Sequence, residues 1–536
     1  MRPSQQGHSL PLARCGLVLV LAVLLITAAV PYIEGAAAPV SAYLVVARQQ
    51  GPGGAAVAQA AVRASGGRVA QAYPQIGVVL ADGAGAGFAA RLRAQPGIAE
   101  AGASHSVPLP DRQSEAWAPP RAAAGPGSAA RGSADAGSGR GGSAGGGSAG
   151  GGAAGGGSGR GGSGELLPAD DVPAAADPHG LPQWGLRMMG GASSDRVQLR
   201  DTVVAVLDSG VDDTHPDLRS AVDPSRSASC ATGSPDSSPG AWRPDPQVGE
   251  SGHGTHVSGI IAADRPGDGV AGIAPGVRIA AVRLLGDVGQ YYGENLVCGF
   301  LWAADHGARV INDSYFADPW KYNCPENQDQ AAIIAAVGRA VGYAQKRGAV
   351  VVASAGNDAQ NLGAARTDDR SPNDHADSVR PPVRRLGAEC IRLPGGLPGV
   401  LDVTAVDRDG NLAGYSNWGA GQVQLAAPGG DPDGGPGQAV VSDWPGGGYA
   451  ALAGTSMAAA AVSGAAAVVA AQHPGAGSAA VARDLEAAAL RVDCPSGRLT
   501  GPDCLGGAYF GYGLVAVPHG PAVSPAAAPG RSSPRG

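Results

Sequence analysis

With 536 residues and a formal net charge of −7, the chain is long enough for more than one domain and has no basic surplus that would suit nucleic acid or an anionic membrane. Charged residues make up only 15% of it and 88 positions are Gly, so part of its length cannot build a packed core.

Arg2 and Arg14 make a basic start, residues 16–30 are an unbroken apolar or small run, and Gly35-Ala36-Ala37-Ala38 offers small residues for cleavage. This layout predicts a secretory signal over 1–38. The run is short for a membrane span of about 20 residues, and an uncleaved anchor is the alternative reading. Cysteine usage agrees with export. Beyond Cys15 there remain Cys230, Cys298, Cys324, Cys390, Cys494 and Cys504, enough for up to three disulfides. Cys494 and Cys504 flank a Gly/Pro-rich turn and form the expected local pair, and no CxxC spacing points to zinc.

Residues 39–110 read as a small unit. Strands are expected at 42–47, 68–73, 76–81 and near 104–107, with helices at 55–64 and 88–94. The order β-α-β-β-α-β is a ferredoxin-like α+β pattern. Residues 111–178 follow as a linker, almost all Gly, Ser and Ala over 122–164, and are expected to be a flexible coil.

From 179 to 517 the pattern is α/β. Residues 202–207 form a continuous apolar strand, with further strands expected at 277–284, 308–311, 349–353 and 400–405. Helices are expected between them at 256–263, 294–306, 328–346 and 456–472. The alternation predicts a doubly wound, mostly parallel sheet whose ligands sit beyond the carboxyl ends of its strands. The Pro/Ala/Ser-rich tail, 518–536, is expected to be disordered.

Four positions carry chemistry. Ser456, in Gly454-Thr455-Ser456-Met457-Ala458, opens a helix, where free N–H groups and the helix dipole suit a nucleophile whose attack creates an oxyanion; taken alone it could equally be an N-cap. Asp208 ends the first apolar strand in Val206-Leu207-Asp208-Ser209-Gly210, which is also good turn chemistry. His253 lies in Gly252-His253-Gly254-Thr255-His256, a spacing that could also hold a metal. Asn357 follows a buried strand in Ser354-Ala355-Gly356-Asn357, where a loop Asn in a left-handed conformation is the plainer explanation.

Taken together, the order Asp, His, Ser resembles that of the subtilisin-like serine endopeptidases, the subtilases. Asp208-Ser209-Gly210-Val211-Asp212 with His215-Pro216-Asp217-Leu218, His253-Gly254-Thr255-His256-Val257 and Gly454-Thr455-Ser456-Met457-Ala458 are similar to the three family blocks, over roughly 181–516. The resemblance implies a catalytic triad of Asp208, His253 and Ser456, an oxyanion hole from Asn357 and the Ser456 N–H, and no catalytic metal or cofactor. It implies substrate-pocket walls at Ser314-Tyr315-Phe316 and Ser354-Ala355-Gly356, and it makes 39–110 an inhibitory propeptide.

The chain departs from the family in three places. Ala460 and Ala461 stand where Pro and His usually follow the serine block, and Tyr315-Phe316 replaces the usual Leu-Gly of the pocket wall. Asp217 matches a family calcium ligand, but the loop Asp264-Arg265-Pro266-Gly267-Asp268 lacks the usual Asn, so structural calcium stays an open expectation. The expected protein is a secreted, monomeric endopeptidase made as a latent precursor and acting on proteins or peptides. A catalytically dead subtilase used for binding and a surface protein built around its Gly-rich stretch are the competing classes.

Overall fold

The computed structural model describes residues 40–85, 87–109, 183–193, 199–249, 251–265, 269–375, 380–435, 437–492 and 507–517. The expected signal, linker, tail and Cys494–Cys504 pair lie outside them.

The first unit runs β1 (Val40–Ala47), α1 (Gly51–Ala64), β2 (Arg68–Tyr73), β3 (Val78–Ala84), α2 (Phe88–Arg93) and β4 (Ile98–Ala103). Its strands pair in the order β2-β3-β1-β4, every pair antiparallel. Strands β1 and β3 shift by two or three residues from the sequence reading, and two larger differences follow. Helix α1 begins at Gly51, because Pro52 sits in its first turn, where a missing N–H costs nothing. The last strand is Ile98–Ala103, not the expected 104–107. Ile98 is its one β-branched residue, so propensity hides it. Pairing to β1 selects it, together with Gly102, where a Cβ would stand 2.4 Å from Asp329 Cα.

The second region opens with α3 (Trp184–Met188), β5 (Val203–Asp208), β6 (Ala228–Ser229), α4 (His253–Ala262) and β7 (Arg278–Arg283). It continues through α5 (Gly293–Asp305), β8 (Val310–Asp313), α6 (Gln328–Lys346) and β9 (Val350–Ser354). A small hairpin, β10 (Arg366–Asp368) and β11 (Arg384–Leu386), precedes β12 (Val400–Val406) and β13 (Leu425–Pro428). A second hairpin, β14 (Val440–Trp444) and β15 (Gly448–Leu452), leads into α7 (Thr455–Gln472) and α8 (Ser478–Ala488). Seven strands form one parallel sheet in the order β13-β12-β9-β8-β5-β7-β6.

Period-2 alternation builds both cores. Val204 and Val206 of β5 face α4 and α7, while Val203, Ala205 and Leu207 face α5 and α6. Helices on both faces make the sheet doubly wound, as the sequence predicts. Helix α7 is long and apolar enough to cross a membrane, yet 89% of it is buried in the fold, so it is a core helix. Its small residues bring neighbours close: a Cβ on Gly464 would stand 2.6 Å from Ile273 Cβ. Disulfides join Cys230 to Cys298 and Cys324 to Cys390.

The first unit packs on the second. Val45 and Ala47 of β1 face their own helices, with Val62, Phe88 and Leu92. Leu44 and Val46 face the other way and join Val78, Leu80, Ile333 and Val337 in the core beneath α5 and α6. Polar contacts fix the docking. Arg339 donates to the carbonyls of Ile76 (2.9 Å) and Ala47 (2.7 Å), Tyr73 Oη to Gly233 O (2.6 Å), and Ala103 N to Asp329 Oδ1 (2.9 Å).

Candidate active site

Parallel strands β9, β8 and β5 lie side by side, so their carboxyl ends fall in a row. Asp208 ends β5, Ser314-Tyr315-Phe316 leaves β8, and Ser354 ends β9 with Ala355-Gly356-Asn357 following. Two helices open onto the same edge. His253 is the first residue of α4, three residues earlier than expected, and Ser456 is the second of α7. The crevice at this edge is where the fold places ligands.

His253 Nδ1 donates to Asp208, at 2.9 Å from Oδ1 and 3.1 Å from Oδ2. Asp208 is fully buried and also accepts the Ser209 N–H at 2.7 Å. This closeness requires glycine at the second residue of α4, because a Cβ on Gly254 would stand 2.3 Å from Gly210 O. Ser209 Oγ accepts from Gly254 N (3.0 Å) and donates to Ser251 O (2.8 Å), pinning the start of the helix.

Ser456 Oγ donates to Ser314 O at 3.2 Å, and Ser354 Oγ donates to the same carbonyl at 3.0 Å. The two expected pocket walls are therefore tied to each other and to Ser456 at their base. Asn357 Oδ1 accepts twice from Thr455, from N at 3.0 Å and from Oγ1 at 2.7 Å. With its oxygen committed, the Asn357 side chain has its amide N–H groups left to donate. Tyr315 sits 4.8 Å from the His253 ring and stacks on Tyr291 at 3.7 Å.

The second histidine of the His253-x-x-His256 spacing is bound to backbone. His256 Nε2 donates to the carbonyls of Val440 and Ala450, each at 3.1 Å, and holds the β14–β15 hairpin on α4. Burial, and His253 beside it, push its pKa down to about 3, so the ring is neutral.

A second buried cluster joins His215, Asp217 and Asp443. Asp217 Oδ2 accepts from Val270 N (3.0 Å) and Tyr449 Oη (3.1 Å), and Oδ1 faces Arg265 Nη1 at 3.6 Å. Hydrogen-bond donors and a guanidinium thus surround this carboxylate. Burial, and then Asp217, push the Asp443 carboxyl up to about 9, so at neutral pH it is protonated.

Sequence reasoning missed three contributors: Tyr291, the His105–Glu294 pair and Arg392. His105 stacks on Tyr292 at 3.5 Å and meets Glu294 Oε1 at 2.7 Å. Burial acts to raise the Glu294 carboxyl, but the His105 charge and hydrogen bond outweigh it and hold the group below the ordinary range. The Tyr291-Tyr292 doublet was the one available signal. Arg392 lies over the Phe316 ring at 4.8 Å and stands outside every motif.

Comparison with known proteins identifies the family. The subtilase family model (Peptidase S8) matches residues 200–503, more than half of the chain. The chain belongs to the subtilase family of serine endopeptidases. It is 32% identical to subtilisin BL of Lederbergia lenta over 293 residues, 54% of this chain and 85% of that protein. It is 33% identical to fervidolysin of Fervidobacterium pennivorans over 261 residues, 46% of this chain but only 30% of that protein. Among solved structures, the epidermin leader peptide processing serine protease from Staphylococcus aureus shares the fold, with TM-score 0.60, 18% identity and coverage of 89% of this chain and 98% of the other. The fervidolysin structure aligns with TM-score 0.54 and 22% identity, over 90% of this chain and 61% of its own.

Proposed function

We propose that the protein is a secreted serine endopeptidase, made as a latent precursor, with Asp208, His253 and Ser456 as its triad. The observation that carries this reading is the His253–Asp208 pair, set on the strand edge where Ser456 opens a largely buried helix. Ser456 Oγ attacks the peptide carbonyl while His253 takes its proton, and His253 then gives that proton to the leaving amine. Asp208, which binds Nδ1, fixes the tautomer and stabilises the imidazolium. The Ser456 N–H and the Asn357 amide hold the oxyanion. Loss of such an amide donor costs about 10²–10³ in kcat, a magnitude known from a subtilisin. Water then hydrolyses the acyl-enzyme by the same route. Proteins or peptides are the substrates. The walls of their pocket are Ser314, Tyr315 and Phe316 on one side and Ser354, Ala355 and Gly356 on the other.

Latency is supported by the docked first unit. Its exit stretch passes His105 onto Tyr292, and the neighbouring Tyr291 stacks on Tyr315, which stands beside His253. Ser106 N donates to Asp374 Oδ2 at 2.8 Å and extends that path. A tethered unit in this position acts at high effective concentration until the connection is cut. Intact mass and N-terminal sequencing of wild type and Ser456→Ala test this. Wild type is expected to lose residues 40–109 as it gains activity, and Ser456→Ala to accumulate uncut. A fully active wild type that still carries the unit contradicts latency.

A further inference from the structure

We propose that Arg392 reads the side chain of the residue that supplies the scissile carbonyl and favours an acidic one, so that cleavage follows Asp or Glu. This deepens the endopeptidase reading above and rests on it.

The stretch Cys390-Ile391-Arg392 is held on both sides. Cys390 is bonded to Cys324, Ile391 exchanges backbone hydrogen bonds of 2.7 and 2.8 Å with Asn323, and Arg392 O accepts from Gly396 N at 2.8 Å. From that anchor the side chain reaches both pocket walls. Its guanidinium lies 4.8 Å over Phe316, its Nε donates to Ser354 O at 3.3 Å, and a Cβ on Gly356 would stand 3.3 Å from Nε. Both walls meet Ser456 through Ser314 O and Thr455, so the cation belongs to the pocket beside the nucleophile.

Arg392 is only 5% exposed. A buried guanidinium ordinarily has a carboxylate partner. Among the described residues, no carboxylate lies within 4.0 Å of this one. Of the acids farther off, Asp358 is paired with Lys321. Burial above all pushes Asp313 up to about 8, Asp402 to about 7 and Asp318 to about 6, which weakens them as counter-charges. The guanidinium is left with one backbone acceptor and an aromatic face, and its fork matches a carboxylate. The aromatic wall lowers the local dielectric and strengthens that match.

The test uses peptides that differ only in the residue before the scissile bond: Glu, Gln or Lys. They are compared by kcat/KM on the enzyme processed from the full chain, with active serine titrated by a fluorophosphonate. Glu is expected to exceed Gln by about 10- to 100-fold, the range one charge-assisted hydrogen bond supplies, and Lys to fall below Gln. The preference should shrink as salt rises. Arg392→Lys keeps a reduced preference, and Arg392→Met brings the Glu:Gln ratio to within about twofold of one. If Arg392 serves only as a counter-ion to the buried aspartates, Arg392→Met lowers Tm and leaves the ratio unchanged, which overturns the inference. A labelled wild type that cuts the Gln peptide as well as the Glu peptide overturns it without any variant. A processed enzyme that does not label overturns the endopeptidase reading beneath it.

Discussion

His253 and His215 each meet a buried aspartate, with opposite results. His253 Nδ1 is 2.9 Å from Asp208 Oδ1, on the strand edge where Ser456 and the pocket walls converge. His215 Nδ1 is 3.7 Å from Asp443 Oδ1, and backbone occupies both of its ring nitrogens: Asp217 N donates to Nδ1 at 3.2 Å, and Nε2 donates to Gly448 O at 2.9 Å. In the proposed reading, the same residue types give a proton-transfer pair in one place and a structural pin in the other. The surroundings of the ring decide which.

The comparison breaks most visibly at the rings themselves. His253→Ala is expected to lower kcat by about 10⁶, a magnitude known from a subtilisin, with Tm nearly unchanged. His215→Ala should instead lower Tm and leave activity per folded molecule close to wild type. Steady-state kinetics with parallel thermal melts check both, and a large kcat loss in His215→Ala would erase the distinction. At the carboxylates, Asp208→Asn is expected to cost about 10⁴ in kcat by favouring the wrong imidazole tautomer.

Asp443→Asn sharpens the contrast from the other side. The folded-state pKa of Asp443 is raised to about 9, so its contribution to stability is full below the ordinary carboxylate pKa and is lost as pH rises through about 9. An amide replaces the protonated acid without titrating. The Tm of Asp443→Asn should therefore exceed wild type by a margin that grows from pH 5 to pH 9, with kcat unaffected. An equal Tm difference at both pH values would contradict the assignment.

The smallest effect is expected at the third histidine–acid pair, His105–Glu294. Glu294 is held below its ordinary value, so the pair stabilises docking above the ordinary carboxylate pKa and loses its effect as pH falls through the depressed one. Glu294→Gln at neutral pH should speed hydrogen exchange in β1–β4 of the Ser456→Ala precursor by about tenfold, and leave β5 and β8 unchanged.

The sequence made the pattern of elements and the four chemical positions legible, because buried parallel strands are continuous apolar runs and the three blocks carry distinctive spacing. Elements defined by distant partners were not legible. Strand β4 is Ala/Gly-rich and is defined by its partners, and β14–β15 is pinned by His256 from a distant helix. Spacing marked His256 as a possible ligand, and only its two carbonyl acceptors show it as structural. Arg392 lies 38 residues beyond Ser354 and touches the pocket only through tertiary folding. No local pattern announces a residue of that kind.

The most direct test of the central claim is a fluorophosphonate reaction on the processed wild type, with the adduct mapped by tandem mass spectrometry. The account predicts one adduct, on Ser456, formed in step with loss of peptidase activity and much slowed in His253→Ala. An adduct on another serine, or full hydrolysis by an enzyme that stays unlabelled, would contradict it.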